Sequence, residues 1–100
     1  MDNPVGPVLR MGDEVELVID AIREDNPNSY VEVIDRGAYV RVQADDYLKV
    51  TEVTLQRHLG PTFKIQSLEQ MLTAFAGRIQ TASDQIEWRL AASRVGRDHG

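Results

Sequence analysis

The chain contains no cysteine. That excludes disulfides, Cys-ligated zinc, iron–sulfur clusters and thiol nucleophiles in one step. No run of about 18 apolar residues occurs, so no transmembrane helix is expected. The opening MDNPVGPVLRMGD has neither an apolar stretch behind a basic start nor an acylation pattern, so neither a secretory signal nor a lipid anchor is read there. Histidine is scarce: His58 and His99 stand far apart, and a metal site needs three or four convergent ligands. Neither a Rossmann nor a P-loop glycine pattern is present, so no dinucleotide or nucleotide site is signalled. Basic residues are also few where they would matter for nucleic acid. Residues 1–50 hold eleven acids against five bases, and the net charge is −5. Nucleic-acid binders, and binders of anionic membrane surfaces, are normally basic. These absences describe a cytoplasmic chain with no cofactor, no nucleic-acid partner and no membrane partner.

What remains suits one small α+β domain of 100 residues, 42% of them hydrophobic. Residues 1–4 read as a flexible lead-in, 5–90 as the domain and 91–100 as a flexible polar tail. Val5 to Arg10 reads as extended, and Gly6 and Pro7 within it suit an edge strand. Val15, Val18, Ile19 and Ile22 then recur at helical spacing. Asp13 with Glu16 fits a capping box, and Asn26-Pro27 ends the helix. Tyr30–Ile34, Ala38–Ala44 and Tyr47–Val50 read as an antiparallel meander, with Asp35-Arg36-Gly37 as its first loop. Thr51 caps a second helix that stops at Gly60-Pro61. Ser67 with Gln70 opens a third, whose stripe is Leu68, Met71, Leu72 and Phe75 and whose stop is Gly77. A closing hairpin joins Arg78–Thr81 to a strand in which Ile86, Trp88 and Leu90 alternate with Glu87 and Arg89. The expected order is β-α-β-β-β-α-α-β-β: an antiparallel sheet with about three packed helices and room for a smaller second lobe.

No catalytic constellation emerges. The acid pairs Asp13/Glu14, Glu24/Asp25 and Asp45/Asp46 are sequence neighbours, which on a helix or strand do not face one site. Paired-carboxylate chemistry needs groups converging from different places. The serines Ser29, Ser67, Ser83 and Ser93 lack the strand–elbow–helix setting of a nucleophile. Two apolar stretches remain. Val5-Gly6-Pro7 is either a packed edge strand or a contact segment. Phe75-Ala76-Gly77 is either a helix stop with its hydrophobic contact or a contact corner.

The segments NPVGPVLR at Asn3–Arg10, EDNP at Glu24–Pro27, DRGAYVRV at Asp35–Val42, TLQRHLGPTF at Thr54–Phe63, AFAGRIQ at Ala74–Gln80 and DQIEWRL at Asp84–Leu90 together resemble the small effector (coupling) proteins of bacterial diiron multicomponent monooxygenases, of the toluene, alkene and isoprene type. The resemblance covers residues 3–90 and rests on the order and spacing of the segments. It implies regulation without catalysis and without a cofactor. Such effectors dock on the hydroxylase over its diiron centre, control access to the pocket and couple reductant use to oxygen activation. By that resemblance the hydroxylase-binding residues are Asn3, Val5, Gly6, Pro7 and Val8 in the N-terminal segment, which orders on the partner, and Thr73, Ala74, Phe75, Ala76, Gly77 and Arg78 at the corner. The free chain is expected to be a monomer. The alternative is a stand-alone ACT-like small-molecule sensor, which requires a pocket with convergent polar groups.

Overall fold

The computed structural model describes residues 2–90. Seven strands and three helices follow in the order β1 (Pro4–Arg10), α1 (Val15–Asp25), β2 (Glu32–Asp35), β3 (Tyr39–Asp45), β4 (Tyr47–Thr51), α2 (Glu52–Leu59), α3 (Ile65–Glu69), β5 (Leu72–Ala76), β6 (Arg78–Thr81) and β7 (Gln85–Arg89). The strands form two antiparallel sheets, β2-β3-β1-β5 and β4-β7-β6. One apolar core serves both: Val5 and Leu9 of β1, Val42 of β3, Leu48 of β4 and Trp88 of β7 join Val18 and Ile22 of α1 and Leu55 of α2. Among the described residues no helix is long and apolar enough to cross a membrane.

Local sequence explains most of these elements. The α1 stripe buries Val15, Val18, Ala21 and Ile22. Its end is fastened by the buried Asn26, whose amide donates to Ile22 O at 2.6 Å and Lys49 O at 2.7 Å and whose oxygen accepts from Lys49 N at 3.2 Å. This one side chain stops the helix and stitches it to β4. Thr51 caps α2 through Thr54 N, as its position predicts. The β2–β3 hairpin closes through Asp35, whose carboxylate accepts from Gly37 N.

Five expectations are corrected. The Asp13/Glu16 capping box does not form: Glu14 is the cap residue of α1 and makes no side-chain cap bond. The third helix is five residues long, Ile65–Glu69, and Ser67 lies inside it, its hydroxyl accepting from Lys64 N at 3.2 Å. Leu72–Ala76, read as helix, is strand β5, so the order gains a strand. Met71, Leu72 and Phe75 fit either period, and Thr73 and Phe75 are strand formers. A free strand to pair with decided the matter. That strand is β1, which sits inside its sheet and not at the edge. Its pairing with β3 runs through Val5–Ala44 and Val8–Arg41 and skips Gly6 and Pro7. The residue that lacks an N–H therefore falls in a gap of the ladder. Finally, β2, β3 and β4 are not a meander. Asp46, at φ +71°, turns the chain out of the first sheet, and β4 pairs with β7 in the second.

The expected lead-in is anchored at its far end. Pro4 already belongs to β1, Asn3 N donates to the Asp45 carboxylate at 2.8 Å, and Asn3 O accepts from Asp46 N at 2.9 Å. The expected tail, residues 91–100, with Ser93 and His99, lies outside the described residues.

Candidate docking surface

Among the described residues strand β5 is an edge: it pairs with β1 on one side and with no described strand on the other. The register runs Gly6–Ala76, Pro7–Phe75 and Val8–Ala74, then shifts so that Leu9 faces Leu72. Thr73 is the extra residue of this bulge, and its hydroxyl donates to Val8 O at 3.2 Å. Arg10 holds the start of the strand, through its backbone N–H to Met71 O at 2.8 Å and its guanidinium to Gln70 O at 3.1 Å. Thr73, Ala74 and Phe75 are exposed, and Phe75 shows 45% of its surface to solvent. Tyr30 and Val53 are more exposed still; what distinguishes Phe75 is its place on a strand edge that leaves backbone groups unpaired.

Gly77 then turns the chain from one sheet into the other. Its φ is +89°, and a Cβ there would lie 2.5 Å from Arg89 O and 2.7 Å from Val5 Cγ1. It is a strand-to-strand corner, not the expected helix stop, though the positive φ that marks it is the same. Gly6 is equally constrained: its φ is +142°, and a Cβ would lie 2.1 Å from Val42 O. Glycine is required at both places because backbone or core atoms occupy the space.

The structure thus brings the two sequence-predicted segments together, side by side in β1 and β5. They differ in access. Val5, Gly6, Pro7 and Val8 are buried and already ordered as a strand. Asn3, Thr73, Ala74, Phe75, Gly77 and Arg78 are exposed, and Ala76 is half-buried. Reading from sequence missed one neighbour: Arg89 stands directly opposite Arg78 across β6–β7. The alternation of β7 placed Arg89 outward, but its partner is set by register.

The titratable groups elsewhere serve the scaffold. Asp25 accepts from Thr51 N at 2.7 Å and from the Thr54 hydroxyl at 2.7 Å, joining α1 to α2. Glu24 accepts from His58 at 2.8 Å and pairs with Arg57. Its carboxyl is held below the usual range, first by the His58 hydrogen bond and then by Arg57. Among the described residues no three His, Cys, Asp or Glu side chains cluster as metal ligands would.

The profile of the MmoB/DmpM family matches residues 3–89. The chain belongs to this family. A curated member, the effector subunit of the alkene monooxygenase system of Xanthobacter autotrophicus (strain Py2), is 38% identical over 87 residues, covering 87% of this chain and 86% of that protein. A chain in a solved phenol hydroxylase–regulatory protein complex is 25% identical, with a TM-score of 0.68 over 85% of this chain and 99% of its own length. The soluble methane monooxygenase regulatory protein B shares the fold, with a TM-score of 0.72 at 21% identity, over 99% of this chain and 73% of that one. The MmoB/DmpM match and the segment resemblance read from sequence agree, and the curated relative bears the name of an effector subunit, not of a catalytic one.

Proposed function

We propose that this chain is the non-catalytic effector subunit of a multicomponent monooxygenase, acting in the cytoplasm on a diiron hydroxylase. The observation that carries the reading is the β5 rim: an exposed, largely apolar edge strand, held in register by a buried β1, in a chain of this family. Thr73, Ala74, Phe75 and Arg78 supply contact atoms, Ala76 and Gly77 set the shape of the corner, and Asn3 lies at the far end of β1. Val5, Gly6, Pro7 and Val8 act from beneath, as the floor that fixes β5.

Docking alone is sufficient for regulation. A protein that binds one state of its partner more tightly than another shifts the partner's populations by the difference in affinity. It needs no titrating group of its own. On this reading the rim selects the hydroxylase state in which oxygen activation and substrate access are matched to the supply of electrons from NADH. The bulge at Thr73 interrupts the open edge and discourages pairing with a second copy, which supports a monomeric free chain.

The test is a steady-state assay with hydroxylase, reductase and ferredoxin present. Turnover is expected to rise with added protein to an optimum near one effector per active site. A rate independent of added protein would end this reading.

A further inference from the structure

Two arginines face each other on the second sheet. Arg78 of β6 is the cross-strand neighbour of Arg89 of β7, which in turn is opposite Tyr47 of β4. Like charges placed directly opposite on a sheet repel and lower its stability. Arg89 is partly compensated: it lies over the Tyr47 ring, 5.0 Å from the centroid, and donates to Glu87 at 3.1 Å. Arg78 is not. Among the described residues its side chain makes no hydrogen bond or ion pair. Both arginines are exposed and line one cleft of about 300 Å³. Lys49, in the next row opposite Glu87, adds a third cation to the strands.

This row is not a by-product of a basic chain, because the net charge is −5. Acid gathers elsewhere: Asp13, Glu16, Asp20 and Asp35 rim a cleft of about 470 Å³ beside α1 and the β2–β3 hairpin. The arginine row instead begins one residue past Gly77, at the end of the β5 rim.

We infer that the Arg78–Arg89 row is an extension of the docking rim, which receives a carboxylate-bearing surface of the hydroxylase. The inference rests on the effector reading above and adds the chemistry of the contact. A partner carboxylate between the two guanidiniums relieves their repulsion, so the bound state gains what the free chain lacks. Planar guanidinium suits this role, since it meets a carboxylate with two parallel hydrogen bonds. Arg89, already held by Tyr47 and Glu87, is the fixed half of the pair; Arg78 is the half free to reach.

The experiment compares hydroxylase binding by the wild-type chain, Arg78→Ala, Arg78→Glu and Arg36→Ala at low and high salt, beside thermal melts. Arg36→Ala removes the same charge from the exposed β2–β3 turn. At low salt Arg78→Glu is expected to bind about tenfold more weakly, with Arg78→Ala between it and wild type. The loss is expected to shrink at high salt, where charges are screened within about 3 Å. Arg36→Ala is expected to match the wild type in binding, and Arg78→Ala and Arg78→Glu to melt no lower than the wild type, since each removes the repulsion with Arg89. Wild-type affinity in Arg78→Glu at low salt would overturn the inference, and so would a loss of equal size at both salts. If the wild-type chain does not bind hydroxylase at all, the effector reading fails and takes this inference with it.

Discussion

Strands β5 and β7 are each five residues long, and they do opposite things. By composition β5 is the more apolar, LTAFA against QIEWR. Yet β7 buries Ile86 and Trp88 completely, while β5 leaves Thr73, Ala74 and Phe75 exposed. The difference lies in position. β7 is the middle strand of its sheet, with partners on both edges and the core on one face. Among the described residues β5 has a partner on one edge only. Apolar content therefore does not decide burial here. An exposed apolar strand is the informative case, because it marks a surface kept for something else.

The largest effect separating the two strands is expected from Trp88→Ala. It empties the centre of the shared core, and core Trp→Ala losses run to about 3–5 kcal/mol. A denaturant melt is expected to show a large fall in midpoint, and an unchanged midpoint would place Trp88 outside the core. The counterpart on the other strand is Ala76→Gln. It is expected to leave the melt near wild type while weakening hydroxylase binding on the order of a hundredfold, as one misfit at an interface centre can. Product formed per NADH across an effector titration reads this out, and normal coupling with a normal melt would remove Ala76 from the interface. Gly77→Ala tests the corner between the sheets. The positive φ and the approach to Arg89 O predict a loss of about 2 kcal/mol, measurable as a lower melting midpoint together with poorer coupling. A change in one without the other would show that the corner does not link them.

The smallest effect divides the two faces of β7 itself. On the outer face the Tyr47 hydroxyl donates to Glu87. Burial, and then this hydrogen bond, pushes the Tyr47 hydroxyl up to about 12. The unfolded chain gives up that proton near its ordinary value of about 10. The contribution is therefore complete below that value and is lost as pH rises through the folded one. The Glu87 carboxyl is held low, chiefly by the Tyr47 hydroxyl, so its share is present above the ordinary carboxylate range and is lost as pH falls through the depressed value. Tyr47→Phe is expected to flatten the alkaline limb of a plot of melting midpoint against pH. An alkaline limb unchanged in the variant would mean that another group causes it.

Elements set by near neighbours were legible before the structure. The α1 stripe, the Thr51 cap, the β2–β3 turn and the alternation of Ile86 and Trp88 with Glu87 and Arg89 each follow from residues within one or two turns of chain. Elements set by distant partners were not. Leu68, Met71, Leu72 and Phe75 fit a helix as well as they fit the end of α3 followed by a strand, and only pairing with β1 chooses. Pro7 signalled an edge, but the gap in the β1–β3 ladder that admits it depends on Gly6 and the carbonyl of Val42. Arg78 was marked by its place after Gly77, whereas the role of Arg89 needed the register of β6 against β7. The two segments singled out from sequence turn out to be paired strands, and the structure divides them into an exposed edge and a buried floor.

The pairing of β1 with β5 also dictates when the protein becomes competent during its synthesis. The Val8 carbonyl waits for the Thr73 hydroxyl, 65 residues later in the chain. Contacts this far apart in sequence form late, since the long loop between them must close first. On the ribosome β1 emerges before both of its partners; β3 follows first, and the edge that β5 fills stays empty until most of the chain has been made. The β1–β5 pairing is therefore among the last parts of the first sheet to be completed. A chain stopped before Leu72 would carry β1 without β5, and so would lack the exposed strand on which the proposed docking rests.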